Sequence, residues 1–501
     1  MKTKRQNHLI MNKSTILMSL LAVVLLMGSC KEDDSNQPVR PDNRETSEKS
    51  PLVEVLTRKI DDPGLYLEFA GGEPLERRVE QALPGMGGNL VRALVKTIAS
   101  HHIPKMDSLF AKEVGTGENG ERRWKMESYV YTYKSVAADG QDILLSARIT
   151  FPNNTLDRID HEVQTLALNI HAYLWNDWVP FECPLLAPLR CYRNAAVIDP
   201  DFQGFGIDEG KHIHCGLSAN TLARQLADAT TAGLELMRSR GVQLAEDGHS
   251  NVWACSLGSP VPIAFAKYVE TEAPKQFRDA VKLGSVFCGG GPIDFVLMNK
   301  NFDQSRVLKP GVYKILFRFI NCLSTEQLGG YKPTDFAADY FNDVRITIDG
   351  KEYTYFEANA LELIENNEHY EGVPVIESYR EVFAPDMLTP EGRLDMDSPK
   401  TKALVKMLAE QDNILYGWRP TIPIYMSHYQ KDDYIPYDQA KEAYEILSEN
   451  GKNPAVHWHD MRFSDALVRI TGEGTHQASC AILLLGCASV EEPEDMYRLW
   501  E

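Results

Sequence analysis

Three residues of this chain have the types, order and local context that nucleophilic catalysis needs. Ser256 stands in Asn251-Val252-Trp253-Ala254-Cys255-Ser256-Leu257-Gly258-Ser259, where an apolar run gives way to small residues. A serine hydroxyl is a weak nucleophile unless a neighbouring base takes its proton and a third group orients that base. A sharp strand-to-helix turn of the pattern G-x-S-x-G exposes such a hydroxyl, and here Ala254 replaces the first glycine. Pro260 and Pro262 fall in the first turn of the expected helix, where amide donors lack partners anyway. The base is His476, in the glycine-flanked run Gly472-Glu473-Gly474-Thr475-His476 before an expected helix at 478–486. The acid is Asp432 or its neighbour Asp433, in His428-Tyr429-Gln430-Lys431-Asp432-Asp433-Tyr434-Ile435-Pro436. His457 and His459 sit inside a strand-like run, where structural roles fit them better.

Elements that could position these groups are legible around them. Tyr129 to Tyr133 and Ile143 to Ala147 flank Asp139-Gly140, which reads as an antiparallel hairpin. Leu166 to Ile170, Ala195 to Ile198, Asn251 to Cys255 and Val281 to Phe287 are short apolar runs, as strands buried on both faces of a parallel sheet require. Leu222, Leu226, Ala229, Gly233 and Leu236 share one face of a helix closed by Gly241, and Gly233 would let that helix approach a neighbour closely. Ile422 to Ser427 and Ala455 to His459 are late strands with a helix from Asp438 to Leu447 between them. A hairpin followed by β-α-β units predicts an α/β fold with a mostly parallel sheet and helices on both faces. Residues 292–418 break the rhythm and read as an insertion over the sheet, with Ser398-Pro399 opening a helix. The expected organisation is a core at 56–291 and 419–501 interrupted by a cap at 292–418. The cap would line an apolar cleft with Tyr313, Phe317, Phe319, Tyr353, Tyr355 and Phe356, or spend them on its own core.

The segment from His428 to Pro436 resembles the H-G-x-x-D-x-x-V-P stretch of α/β hydrolases, a match that aligns Asp432 with the family's acid. His171-Ala172-Tyr173 stands where that family carries His-Gly-x, and Asp199 to Gly206 is similar to its structural D-x-x-G-x-G loop. Gly289-Gly290-Gly291-Pro292 and Asn413-Ile414-Leu415-x-x-Trp418-x-Pro420 are similar to the secretory-lipase-type serine esterases. The resemblance covers residues 120–490 and implies an α/β-hydrolase fold with ester hydrolysis through an acyl-enzyme. It implies Ser256 as nucleophile, His476 as proton shuttle and Asp432 as orienting acid, with Leu257 and Tyr173 amides as the oxyanion hole. It implies no metal or organic cofactor. A peptidase on the same fold and a non-catalytic binding lipoprotein are the competing readings.

The 501-residue chain is 43% apolar and 25% charged, an ordinary globular balance. With 52 basic against 71 acidic residues its net charge of −19 repels phosphate backbones, which disfavours nucleic acid as a partner. Lys2, Lys4, Arg5 and Lys13 precede an apolar run from Ile16 to Met27, too short to span a bilayer, and then Gly28-Ser29-Cys30. Cysteine after Gly-Ser resembles a bacterial lipoprotein signal, with 1–29 removed and Cys30 lipidated; an ordinary secretory signal is the plainer alternative. Residues 30–55 read as a polar tether, and Lys31-Glu32-Asp33-Asp34 resembles a surface-export cue. The expectation is an envelope protein anchored to the outer membrane through Cys30 alone, acting on a small ester. Cys183 and Cys191 form the one suspected local disulfide. Lipidation predicts that Cys30→Ala abolishes metabolic labelling by palmitate and releases the protein from membranes; equal membrane retention of the variant would contradict it.

Overall fold

The computed structural model describes residues 50–61, 124–154, 161–170, 190–212, 218–298, 340–354 and 379–461, with short gaps inside these ranges, and single later positions that include His476, Ser479 and Leu483. Cys30, Tyr173, Cys183 and the aromatic run Tyr313, Phe317 and Phe319 lie outside the described residues.

Among the described residues nine strands form one sheet. They are β1 (Leu52–Asp61), β2 (Trp124–Val136), β3 (Asp142–Asn154), β4 (His161–Ile170), β5 (Ala195–Pro200), β6 (Val242–Cys255), β7 (Leu283–Gly289), β10 (Ile424–Tyr429) and β11 (Val456–Met461), in the order β1-β2-β3-β5-β4-β6-β7-β10-β11. The first three strands are antiparallel to their neighbours, and from β5 to β11 every pairing is parallel. The central strands β5 and β10 are buried at every position, as a sheet covered on both faces demands. After β4 the chain adds β5 on one side and then crosses to β6 on the other. The crevice between β4 and β6 is therefore the switch point at which α/β sheets place ligands. Ser256 is the residue that follows β6.

Helix α1 (Ala219–Ser239) lies on the sheet, where it contacts β2, β3, β5 and β6. Gly233 explains its close fit: a Cβ there would stand 2.7 Å from both Ile198 Cδ1 and Tyr131 Oη. Tyr131 is fully buried and donates its hydroxyl to the Ala229 carbonyl at 2.7 Å, which ties strand to helix without leaving a buried polar group unpaired. Helix α2 (Pro260–Thr271) follows the Ser256 turn with proline at its first position and packs on α1 and β7. A short helix α3 (Lys275–Val281) ends at Lys282, whose left-handed φ of 45° turns the chain into β7. Val281, expected to open that strand, therefore closes the helix instead.

Strand β1 corrects the expected tether, which was to run to residue 55. Leu52 already pairs with Tyr133 of β2, but the register shifts between Leu52 and Glu54 and again between Val55 and Thr57. Two shifts destroy the period-two alternation that marks a strand in sequence.

The last sheet strands bracket α5 (Tyr437–Leu447). Between β7 and β10 the described residues include a separate hairpin, β8 (Arg345–Ile348) and β9 (Lys351–Thr354), and helix α4 (Pro399–Gln411). Phe341 bridges to Phe383, with ring centroids 5.7 Å apart, and Ile346, Ile348 and Met387 are buried nearby in sequence. Ile293 and Leu297 before this stretch, and Ile414 and Leu415 after it, belong to the main hydrophobic cluster. Trp418 donates its indole N–H to Ile414 at 2.8 Å, and Lys267 of α2 reaches the Asn413 and Tyr416 carbonyls, so the Asn413-to-Trp418 motif is the splice that returns the chain to the sheet.

Cys191 is a buried thiol outside any disulfide among the described residues, and Cys183, its suspected partner, lies outside them. Burial pushes the Cys191 thiol far above its ordinary range, which leaves it inert at neutral pH. Gly233→Ala is expected to lower the unfolding free energy by about 1–2 kcal/mol in denaturant titration, because overpacking against Ile198 and Tyr131 outweighs the better helix propensity of alanine. An unchanged or higher stability would show that α1 can retreat from the sheet at no cost.

Candidate active site

Ser256 has φ of 49°, in the left-handed region that a side chain with a Cβ disfavours. The strain is held from three sides. The Ser259 amide closes the turn onto the Ser256 carbonyl at 2.9 Å. The Ser259 hydroxyl donates to the Gly289 carbonyl at 2.9 Å, which fixes the turn to the end of β7. Gly291 then passes so close that a Cβ on it would lie 1.7 Å from the Ser256 carbonyl oxygen. Glycine at 291 is therefore a steric requirement of the serine turn. Gln439 at the start of α5 secures it: its amide donates to the Gly291 carbonyl at 2.9 Å and its oxygen accepts from the Ile293 amide at 3.0 Å.

His476 lies against this turn. Its Nε2 stands 2.8 Å from Ser256 Oγ, and its Nδ1 stands 2.8 Å from Asp432 Oδ2. An ionised carboxylate only accepts, so Nδ1 carries the proton and Nε2 presents a lone pair to the serine hydroxyl. Asp432 is fully enclosed and cannot swing away, because its Oδ1 accepts the amides of Tyr434 and Ile435 at 2.9 and 2.8 Å. His428, at the end of β10, donates Nε2–H to the Ile435 carbonyl at 3.0 Å and lies 3.7 Å from Asp432 Oδ2. Both histidine contacts converge on the loop that carries the acid. Asp433 turns elsewhere: its Oδ1 accepts the main-chain amide of His476 at 2.9 Å. The two candidate acids thus meet the same histidine, one at the ring and one at the backbone.

The Ser256–Gly258 segment is a single 3-10 turn, so the Leu257 amide at its start has no acceptor within the turn and can face a ligand. Tyr173, the other expected oxyanion donor, lies outside the described residues. Its strand β4 is braced by Asn169, which donates to Asp199 Oδ1 at 3.1 Å. Burial pushes the Asp199 carboxyl up to about 6, and pushes Asp201 in the same loop up to about 7. Ser146 donates to Asp201 at 2.6 Å, and Gly206 packs against both. These carboxylates are structural posts beneath the sheet edge. His457 and His459 belong to β11 and make no contact with the Ser256–His476 pair among the described interactions, His457 instead stacking on Tyr425 at 4.6 Å. The described residues contain no cluster of three or more metal-ligating side chains.

The sequence motifs contain His428 and Ser259 without giving either a part in this arrangement, and nothing in them points to Gln439. A polar residue opening a helix after the acid loop, and a second serine three places after the first, were the only signals available. The expected outcome for the acid pair is that Asp432→Asn lowers kcat about 10³–10⁴-fold by losing the tautomer that aims Nε2 at the serine. Asp433→Asn keeps an oxygen acceptor and should cost less than about tenfold. Steady-state kinetics on both variants checks this, and a reversed order would move the acid's role to Asp433.

Neither a protein-family profile nor a curated protein matches the sequence. Solved structures do match. The rice cell wall degrading esterase LipA from Xanthomonas oryzae superposes with a TM-score of 0.53 at 15% identity, covering 75% of this chain and 92% of that one. A candidate hydrolase from Legionella pneumophila superposes with a TM-score of 0.54 at 14% identity, covering 87% of this chain and 99% of that one. With the mostly parallel sheet and its flanking helices, these likenesses establish an α/β-hydrolase fold.

Proposed function

We propose that the protein is a serine carboxylic-ester hydrolase working through an acyl-enzyme. The observation that carries the reading is the continuous hydrogen-bond chain from Ser256 Oγ through the His476 ring to Asp432, on a strained turn at the sheet's switch point. Ser256 Oγ attacks the ester carbonyl while His476 Nε2 takes its proton, and Asp432 holds the ring and stabilises the imidazolium. The negative charge that develops on the carbonyl oxygen is met by the Leu257 amide, with the Tyr173 amide as the second donor, each such donor being worth roughly 10²–10³ in rate. The tetrahedral intermediate collapses, His476 returns the proton to the departing alkoxide, and the alcohol leaves. Water then repeats the sequence on the acyl-serine, regenerates Ser256 and releases the acid. No step calls for a metal or organic cofactor. The esterase from Xanthomonas oryzae and the hydrolase from Legionella pneumophila, whose fold this chain shares, agree with this reading, and lipid anchoring at Cys30 would hold the enzyme at the envelope, in the outer membrane, with a small ester as its partner.

The residues from 292 to 418 are proposed to cap the serine, since they connect β7 to β10, the strands that end beside it. Phe341, Phe383, Ile346 and Ile348 are already spent on the segment's own packing, and Tyr353 is half-buried. A substrate cleft would therefore draw on the remaining aromatics. Each methylene of an acyl chain buried there contributes ~0.8 kcal/mol.

The test combines a fluorophosphonate probe with p-nitrophenyl esters of two to sixteen carbons. The probe should label wild-type protein at Ser256 and leave Ser256→Ala and His476→Ala unlabelled or strongly slowed. Over the first four added carbons kcat/KM should rise by roughly a hundredfold if the cleft is apolar. Absence of labelling would remove the hydrolase reading and leave a binding protein. A preference for acetyl would keep the hydrolase and discard the apolar cleft.

A further inference from the structure

We propose that Asp433 is a positioning residue: it holds the main chain of His476 while Asp432 holds the ring, so that two consecutive carboxylates fix one imidazole at two points. The inference rests on the catalytic reading of Ser256, His476 and Asp432, and assigns a role to the carboxylate which that reading leaves idle.

A histidine held only at Nδ1 is not fixed in space, because the ring can pivot about that hydrogen bond if its Cα moves. The direction of Nε2, and so its 2.8 Å contact with Ser256, depends on where the main chain sits. The main chain therefore needs a restraint of its own. Asp433 supplies it with an Oδ1 that accepts the His476 amide at 2.9 Å, a charge-assisted bond when the carboxylate is ionised. Ser479 adds a bond on the other side, from its hydroxyl to the His476 carbonyl at 2.8 Å.

The division of labour between the two acids follows from how each is anchored. Asp432 has one oxygen committed to the Tyr434 and Ile435 amides and the other to the imidazole, and it is 2% exposed. Asp433 is 6% exposed and points to the backbone of the same residue. Both belong to a single turn, in which the Asp432 amide bonds to the Tyr429 carbonyl at the end of β10. Any shift of that turn carries ring acceptor and backbone acceptor together, so the imidazole follows the sheet as one body. A misplacement of the base by about 1 Å costs on the order of 10²-fold in rate, which sets the scale of the effect.

Three variants decide the matter: Asp433→Asn keeps an oxygen acceptor, whereas Asp433→Ala and Asp433→Ser cannot reach the amide. With a p-nitrophenyl ester, Asp433→Ala should lose roughly ten- to a hundredfold in kcat with KM within about threefold, and fluorophosphonate labelling of Ser256 should slow by the same factor. Asp433→Asn should retain activity within about tenfold and label clearly faster than Asp433→Ala. Should the alanine variant not fold, as judged by near-ultraviolet circular dichroism, the serine variant is held to the same criteria. Hydrogen exchange of the peptide covering residues 471–479, read by mass spectrometry, gives a measure independent of activity: exchange should quicken in Ala or Ser and stay near wild type in Asn. Kinetics and labelling within twofold of wild type for Asp433→Ala would overturn the proposal. So would equal losses in Ala and Asn, or unchanged exchange in Ala. Wild-type protein that fails to label would instead remove the catalytic reading, and the exchange result alone would then judge the clamp.

Discussion

The arrangement depends on a non-glycine residue held at positive φ. Ser256 adopts a conformation that costs an L-residue roughly 1–2 kcal/mol, and it persists only because its surroundings over-determine it. The chain leaves β6 in extended geometry at Cys255, reverses at Ser256 and enters α2 at Pro260 within a few residues. Reversal that abrupt lifts Oγ out of the sheet plane and aims it at His476. It also brings the Ser256 carbonyl so near the chain after β7 that only a residue without a side chain fits at 291. One backbone strain therefore dictates glycine at 291, and the Gln439 bonds to Gly291 and Ile293 and the Ser259 link to Gly289 hold the chain beside it.

Asp432 and His476 are attached to the same sheet by a different logic. Asp432 sits just beyond β10, two strands from β6 in the sheet order, and is immobilised by backbone amides. That is a rigid mount, since strand positions in a buried parallel sheet are fixed by ladder bonds on both sides. His476, at a helical position, is held by Asp432 at the ring, Asp433 at the amide, Ser479 at the carbonyl and Tyr434 beside the ring at 5.5 Å. Precision at the nucleophile rests on strain against packing, and precision at the base rests on hydrogen bonds.

Buried charge elsewhere is managed with similar care. Asp199 in β5 and Asp201 just after it are buried, and desolvation raises both carboxyls toward neutrality despite donors from Asn169 and Ser146. They tie the loop after β5 to the antiparallel part of the sheet, with the Tyr133 hydroxyl on the Asp201 carbonyl at 3.0 Å as a further link.

How much of this was readable beforehand follows from the range of each interaction. The hairpin β2–β3, the parallel strands, helix α1 and the order serine, acid, histidine were legible because each is written in neighbouring residues: apolar runs, periodic faces, turn residues. Gly233 was legible as a close approach for the same reason, though not its partners Ile198 and Tyr131. Strand β1 was hidden by two register shifts, and the end of α3 by a left-handed Lys282 where glycine or asparagine is the usual signal. A sequence also cannot say which of two adjacent aspartates meets a ring and which a backbone amide, because their directions depend on a turn closed by bonds to Tyr434, Ile435 and Tyr429. Nor can it say why glycine stands at 291, since the atom it must clear belongs to Ser256, thirty-odd positions away. The sequence by itself determined the residue types and the elements that bear them. Only the tertiary structure decided distances and directions, because those arise from contacts between segments far apart in the chain.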